Sequence, residues 1–304
     1  MSENNESNGI AAFSDELALI VEKNAPAVVR VDDGSRLTAT GVVWSSEGVI
    51  VTTSHGVERD EDLAIQTFDG KLHPVTLVGR DADTDIAVLR VTEPGVQMKP
   101  LVTTDRARVG NLVLTLARPG QSGLHSTLGI ISSKTETERS GQPEYLLTPD
   151  ADLYPGFSGA PLLDVQGKMV GMINLMFGRG KGIALGTPIV SNVVNSILKT
   201  GRVQRGFLGI RTQQAILPDI YLASEATSNQ TKALLIVQVE PDSPAQKQGL
   251  FVGDLLLAFN GATVETVEDL RKQLRSQSAN SEATLRLGAG GTVREVKVIL
   301  GVEV

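Results

Sequence analysis

Residues 79–89 read Gly79-Arg80-Asp81-Ala82-Asp83-Thr84-Asp85-Ile86-Ala87-Val88-Leu89. An aspartate-rich turn gives way at Ile86 to an unbroken apolar run. Such a run, short and bounded by turn residues, reads as a buried strand. Comparable runs rich in Val, Ile, Leu and Thr recur at 27–31, 39–44, 48–53, 63–67, 74–78, 85–91, 112–117, 127–133, 145–148, 161–163, 168–174 and 183–189. Gly, Asp, Ser or Pro punctuates them. Many short strands at this spacing predict an all-β barrel or sandwich from Ala27 to about Ile189. Helical periodicity flanks this block. Before it, Ser14 is placed to cap a helix with Leu17, Ile20 and Val21 on one face, ended by Pro26. After it, Val190, Val193, Val194, Ile197 and Leu198 form a stripe, and Gly201 is a stop signal.

The 304 residues suggest about two domains at roughly 150 residues each. The polar, basic stretch 199–206 marks the boundary. Beyond it the pattern is mixed α+β. Strand 234–239 precedes a short helix capped by Ser243, with Pro244 in its first turn and Gly249 at its end. Strand 255–259 meets an Asn260-Gly261 turn. Thr266 and Asp269 resemble a capping box ahead of a helix with Val267, Leu270 and Leu274 inward. A last hairpin turns near Gly288–Gly291.

Composition narrows the chemistry. With 28 basic and 35 acidic residues the net charge is −7, which argues against a general nucleic-acid binder. There is no cysteine, so disulfides and thiolate chemistry are excluded. Scattered histidines at 55, 73 and 125 argue against a His-rich metal site, and no cofactor is expected. No apolar run approaches the twenty or so residues of a membrane span. Residues 1–9 lack the charge and apolar stretch of a secretory signal, so residues 1–12 read as a disordered tail. If Met1 is the natural start the expected location is cytoplasmic, and otherwise periplasmic or extracytoplasmic.

Three segments carry residues with chemical potential. In Tyr154-Pro155-Gly156-Phe157-Ser158-Gly159-Ala160-Pro161-Leu162, glycines flank a serine between strand-like runs. Glycine permits a tight loop that aims backbone N–H groups at one point, the arrangement that stabilises an oxyanion. A simple turn fits the same residues. A nucleophilic serine also needs a base. His55, in Thr52-Thr53-Ser54-His55, follows an apolar strand, and Asp85 directly precedes one. Alone, each is an ordinary strand-end residue. Together, the order His, Asp, Ser within an all-β domain is that of the chymotrypsin-type triad.

These segments resemble trypsin-like serine proteases of the HtrA (DegP/DegS) family, which carry a C-terminal PDZ domain. Thr52–His55 resembles the family's histidine motif and Asp83–Leu89 its aspartate motif. Tyr154–Leu162 is similar to its serine loop, with Phe157 and Ala160 in place of the usual Asn and Gly. Gln204-Arg205-Gly206-Phe207-Leu208-Gly209-Ile210 resembles the entry into PDZ, and Leu250–Leu256 with Asn260-Gly261 its later signature. The resemblance covers about Ala27 to Val304. It implies a chymotrypsin-like double β-barrel protease domain over 13–200, a linker at 201–206 and a smaller α+β PDZ domain over 207–304.

It also implies roles. Ser158 would be the nucleophile, His55 the general base and Asp85 the group that orients His55. The N–H groups of Gly156 and Ser158 would form the oxyanion hole. Asp152, Leu153, Asn174, Leu175 and Met176 would border the substrate pocket. Asp152 is read two ways, as a pocket base drawing Lys or Arg or as a solvated loop carboxylate. Phe207, Leu208, Gly209 and Ile210 would hold a peptide's C-terminal carboxylate at a sheet edge, or fill the small domain's core, or both. The implied activity is ATP-independent cleavage of unfolded or damaged proteins, that is, protein quality control without metal or nucleotide. Trimer assembly is suspected, with Phe13 as the aromatic candidate. The alternative is a catalytically weak peptide-binding or chaperone protein.

Overall fold

The Val- and Ile-rich runs form strands because β-branched side chains fit a half-buried pleat. The computed structural model describes residues 3–35, 38–120, 123–139, 142–177, 182–222, 230–277 and 279–302. The chain divides into two units, residues 1–137 with 143–203 and residues 138–142 with 204–304.

In the first unit, α1 (Glu3–Asn24) leads in. Leu17, Ile20 and Val21 pack against the core, as their spacing predicts. Two expectations are corrected here. Ser14 lies inside this helix instead of capping it, and the stretch expected to be a disordered tail is helical from Glu3. Once the buried face fixes the later turns, each added residue gains a hydrogen bond without a new nucleation cost. Phe13 is 44% exposed.

Twelve strands follow. β1 (Val28–Asp32), β2 (Ala39–Val43), β3 (Val49–Thr53), β4 (Ala64–Gln66), β5 (Leu72–Asp81) and β6 (Ile86–Val91) close into one antiparallel barrel of order β1-β2-β3-β6-β5-β4. β7 (Leu112–Ala117), β8 (His125–Arg139), β9 (Gln142–Asp150), β10 (Pro161–Asp164), β11 (Met169–Asn174) and β12 (Ile183–Gly186) close into a second, of order β10-β11-β12-β9-β8-β7. Val29, Ile50, Ile65 and Leu89 fill the first interior. Ile131, Leu147, Phe157 and Ile173 fill the second. A third cluster joins the barrels, with Val51 and Val88 meeting Leu116 and Met172 under Val190, Val194 and Ile197 of α2 (Thr187–Thr200). The apolar run at 183–189 is therefore shared between β12 and α2. Pro188 sets the break, since its fixed φ suits a first helical turn.

The second unit runs β13 (Gly206–Phe207), β14 (Ile210–Ile216), α3 (Asp219–Leu222), β15 (Lys232–Val239), α4 (Pro244–Lys247), β16 (Leu255–Phe259), β17 (Ala262–Thr263), α5 (Val267–Arg275), β18 (Glu282–Ala289), β19 (Thr292–Ile299) and β20 (Gly301–Val302). The main sheet has the order β14-β15-β16-β18-β19, so β14 is an end strand. Leu234, Leu256, Phe259, Leu285 and Val298 form its core. The Ser243 hydroxyl accepts from the Gln246 N–H at 3.2 Å, capping α4. Strand β14 was not legible in the sequence: its 211–214 segment is polar because alternate positions are exposed.

The capping box of α5 is complete. The Asp269 N–H donates to Thr266 Oγ1 at 3.1 Å, and the Thr266 N–H donates to Asp269 Oδ2 at 2.8 Å. The hydrogen bond from the Thr266 side chain is the main cause that holds the Asp269 carboxyl below its ordinary value. The box's contribution is therefore present above that value and is lost as pH falls through the lowered one. Thr266→Ala should cost about 1 kcal/mol. Amide hydrogen exchange across 267–275 is expected to quicken several-fold, and unchanged protection would refute the capping role.

Candidate active site

The barrel register brings the first two residues together. β3 pairs with β6 so that Thr53 lies opposite Ile86. His55, just past the end of β3, therefore meets Asp85, just before β6. The backbone seals the junction, with the Ser54 N–H donating to the Asp85 carbonyl at 2.9 Å. Asp85 adopts φ +55°, a left-handed conformation that aspartate tolerates better than most residues.

The Asp85 carboxylate is buried and receives three donors. The His55 N–H donates to Oδ1 at 2.8 Å, His55 Nδ1 lies 2.5 Å from Oδ2, and Asn174 Nδ2 donates to Oδ2 at 2.8 Å. A carboxylate at Nδ1 keeps the ring proton on that nitrogen, which leaves Nε2 as an acceptor. His55 Nε2 lies 3.1 Å from Ser158 Oγ. His55, Asp85 and Ser158 thus form one continuous hydrogen-bonded chain. Ser158 and Asp85 are 6% and 4% exposed.

The serine loop joins β9 to β10 and is pinned from two sides. Phe157 is fully buried, its ring edge-on to Tyr154 and His125 at centroid distances of 5.7 and 6.5 Å. Across from it, Thr40 on β2 holds both neighbouring carbonyls. The Thr40 N–H donates to the Ser158 carbonyl at 3.0 Å, and its hydroxyl donates to the Gly156 carbonyl at 2.7 Å. Thr40 Oγ1 also accepts from the Arg118 N–H at 3.0 Å. The loop's other amides are bonded: Phe157 to Tyr154 and Ala160 to Phe157 within the loop, and Gly159 to Ile173 on β11. Among the described residues, the N–H groups of Gly156 and Ser158 have no hydrogen-bond partner. Gly156 has φ +89°, and a Cβ there would lie 2.6 Å from Pro119 Cβ, so no other residue fits.

Asp152, Leu153 and Leu175 line a cavity of about 640 Å³ together with Gly182, Asp150 and Ser132. Two expected pocket residues are not among its lining. Asn174 is turned inward and fully buried. A buried amide needs partners, and Asn174 finds them in Asp85 and in the N–H groups of Met176 and Phe177, which donate to its Oδ1 at 2.9 and 3.2 Å. Met176 is 58% exposed. Sequence reasoning missed Thr40 altogether, since a threonine in a strand carries no signal of what its hydroxyl reaches.

In the second unit, Phe207, Leu208, Gly209 and Ile210 form one end of a cavity of about 500 Å³ between β14 and α5. Leu208 is buried in the core, while Phe207 and Ile210 are partly exposed. Gly209 has φ +76°, and a Cβ there would meet Ser243 Cβ at 2.2 Å. The Leu208 and Gly209 carbonyls accept from Ala245 and Glu240. Their own N–H groups have no partner among the described residues.

Two closed barrels followed by this sheet and groove define a trypsin-like peptidase domain joined to a PDZ domain. A family profile described as a trypsin-like peptidase domain matches residues 39–172, and a PDZ domain profile matches residues 206–300. A probable periplasmic serine endoprotease, DegP-like, of Chlamydia pneumoniae is 29% identical over 85% of this chain and 54% of its own length. The serine endoprotease DegS of Haemophilus influenzae is 27% identical over 86% of this chain and 76% of its own length. A crystal structure of the serine endoprotease from Yersinia pestis matches with a TM-score of 0.68 at 27% identity, covering 94% of this chain and 97% of that one. The HtrA-type protease AlgW, solved with a decapeptide, shares the fold, with a TM-score of 0.70 at 24% identity over 94% of this chain and 98% of that one. The chain carries a trypsin-like peptidase domain followed by a PDZ domain and is similar over most of its length to HtrA-type serine proteases. It spans only about half the length of the DegP-like relative.

Asn174→Ala removes a donor from a buried carboxylate. It should lower stability by about 1–3 kcal/mol, read as a fall in the denaturant midpoint of the full chain. A midpoint unchanged within error would mean the Asn174 contact contributes nothing.

Proposed function

We propose that the first unit is a serine endopeptidase acting through His55, Asp85 and Ser158. The observation that carries this reading is the 3.1 Å contact from His55 Nε2 to Ser158 Oγ, made by a ring held at its other nitrogen by Asp85. Ser158 Oγ attacks the scissile carbonyl carbon while His55 Nε2 takes the hydroxyl proton. The carbonyl oxygen becomes an oxyanion, which the N–H groups of Gly156 and Ser158 receive. Collapse breaks the C–N bond, and His55 returns its proton to the leaving amine. Water then attacks the acyl-enzyme by the same route, with His55 again the base, and regenerates Ser158. Asp85 orients the ring and stabilises the imidazolium.

The substrates proposed are unfolded or damaged polypeptides, with peptide C-termini held at the Phe207–Ile210 loop. The word endoprotease in the relatives' names supports polypeptide cleavage, and the word periplasmic in the DegP-like name supports an extracytoplasmic site. Within the described residues no helix is long and apolar enough to cross a membrane. Trimer assembly through the partly exposed Phe13 belongs to the same proposal.

Casein hydrolysis tests the reading. Ser158→Ala should lower kcat on the order of 10⁶-fold, and a fluorophosphonate should label the parent chain and not the variant. A fully folded parent that neither cuts nor labels would indicate a chain that only binds peptides. Thr40→Val leaves the Gly156 carbonyl without its hydroxyl donor while keeping the side-chain shape. It is expected to lower kcat about tenfold with little change in KM, the loss of one loop-fixing hydrogen bond. Unaltered kcat would show that the Thr40 hydroxyl is dispensable and that Phe157 and the Thr40 N–H hold the loop without it. For the cavity, Asp152→Ala should reduce cleavage after Lys or Arg relative to Val or Ala. An unchanged preference would make Asp152 a solvated loop residue.

A further inference from the structure

The groove of the second unit has an apolar floor and a cationic rim. Leu208, Ile210, Val267, Leu270 and Leu274 line its depth, and Arg205, Arg211, Arg271 and Arg275 line the same cavity. No Asp or Glu is among its described lining residues. This contrasts with a chain whose net charge is −7. Four cations gathered on one groove of an acidic protein create a local field opposite in sign to the whole.

Their placement follows from the two elements. On α5, positions 267, 270, 271, 274 and 275 share one face at helical spacing, so Arg271 and Arg275 stand beside the apolar stripe. On β14, Ile210 and Thr212 are partly buried while Arg211 is exposed, as strand alternation requires. Arg211 has no hydrogen-bond or ion-pair partner among the described residues. Arg271 and Arg275 both approach the exposed carboxylate of Glu268, at the long distances of 3.9 and 3.8 Å. Exposed pairs of that length are worth little, so at Arg271 an incoming carboxylate competes with a weak partner.

We propose that this groove selects C-terminal peptides with an apolar last residue and an acidic side chain among the three residues before it. The inference rests on the peptide-binding reading of the second unit and names its ligand class. The free N–H groups of Leu208 and Gly209 face the terminal carboxylate, and the leucine-lined floor takes the last side chain. A bound strand rises about 3.3 Å per residue along β14, so the last four residues span about 10–13 Å. Arg211, Arg271 and Arg275 line the cavity that such a strand would enter.

Fluorescence anisotropy on the full chain carrying Ser158→Ala, which removes the proposed nucleophile so that probes stay intact, provides the test. Four dye-labelled octapeptides share one sequence: one ends Glu-Glu-Ala-Val, one Gln-Gln-Ala-Val, one Lys-Lys-Ala-Val, and one repeats the Glu peptide with an amidated C-terminus. The Glu peptide should bind at least about fivefold more tightly than the Gln peptide at low salt, with the Lys peptide weakest. The gap should narrow as salt rises towards about 1 M, where charges more than about 3 Å apart are screened. Adding Arg211→Gln and Arg271→Gln together should abolish the Glu preference while leaving the Gln peptide's affinity within about twofold. Equal affinity for Glu and Gln peptides overturns the charge selection and leaves the groove reading intact. Amidated and free-acid peptides binding alike, or no peptide binding at all, overturns the groove reading and the selection with it.

Discussion

The pairing of β3 with β6 is the constraint on which the site depends. It is a backbone register, Thr53 opposite Ile86, yet it decides where an imidazole and a carboxylate stand. A slip of one residue would turn alternate side chains to the other face of the barrel. The register is protected because both strands are buried: Val49, Ile50, Val51, Ile86, Ala87, Val88 and Leu89 are each at most 3% exposed. Moving them out of phase would expose apolar surface at about 25 cal/mol per Å². The core therefore fixes the polar geometry, and the short His55–Asp85 contact is a consequence of packing as much as of charge.

The serine loop shows a second division of labour. A buried aromatic ring fixes where the loop sits, and polar contacts fix which way its peptides face. Phe157 supplies the first through burial in the second barrel. Thr40 supplies the second, from the first barrel, by holding the carbonyls of Gly156 and Ser158. Peptide groups are planar. A carbonyl fixed at Gly156 therefore fixes the N–H of Phe157 as well, and that N–H closes the turn onto Tyr154. The family's usual Asn at this position offers a polar side chain. Phe offers none, and the observed loop is ordered by dispersion and by its neighbours' backbone instead.

Much of this was legible in the residues. The runs at 48–53 and 85–91 announced strands, the order of His55, Asp85 and Ser158 announced a site, and Thr266 with Asp269 announced a helix start. What the sequence could not carry was pairing between distant segments. Nothing in 39–43 says that Thr40 reaches Gly156, because that contact spans 116 positions and depends on two barrels closing side by side. Asn174 was placed at the pocket edge from its position after Gly171-Met172-Ile173. The structure buries both faces of β11, so its amide turns to the nearest carboxylate. Strand β14 escaped notice for the opposite reason. Its Arg211, Gln213 and Gln214 are exposed, and an end strand need not read as apolar.

The exposure of β14 also bears on what its arginine is for. An end strand is a template for unwanted pairing, and a charged side chain is a common device against it. Arg211 alone would be explained in that way. Arg271 and Arg275 are not, because they stand on a helix, where no backbone edge needs protection. All three line the same cavity, whose floor is apolar and one end of which carries two amides without partners among the described residues. Edge protection calls for charge on the strand; ligand selection calls for charge on both walls. The groove has charge on both walls, so its arginines are better explained by what enters it than by what must be kept out.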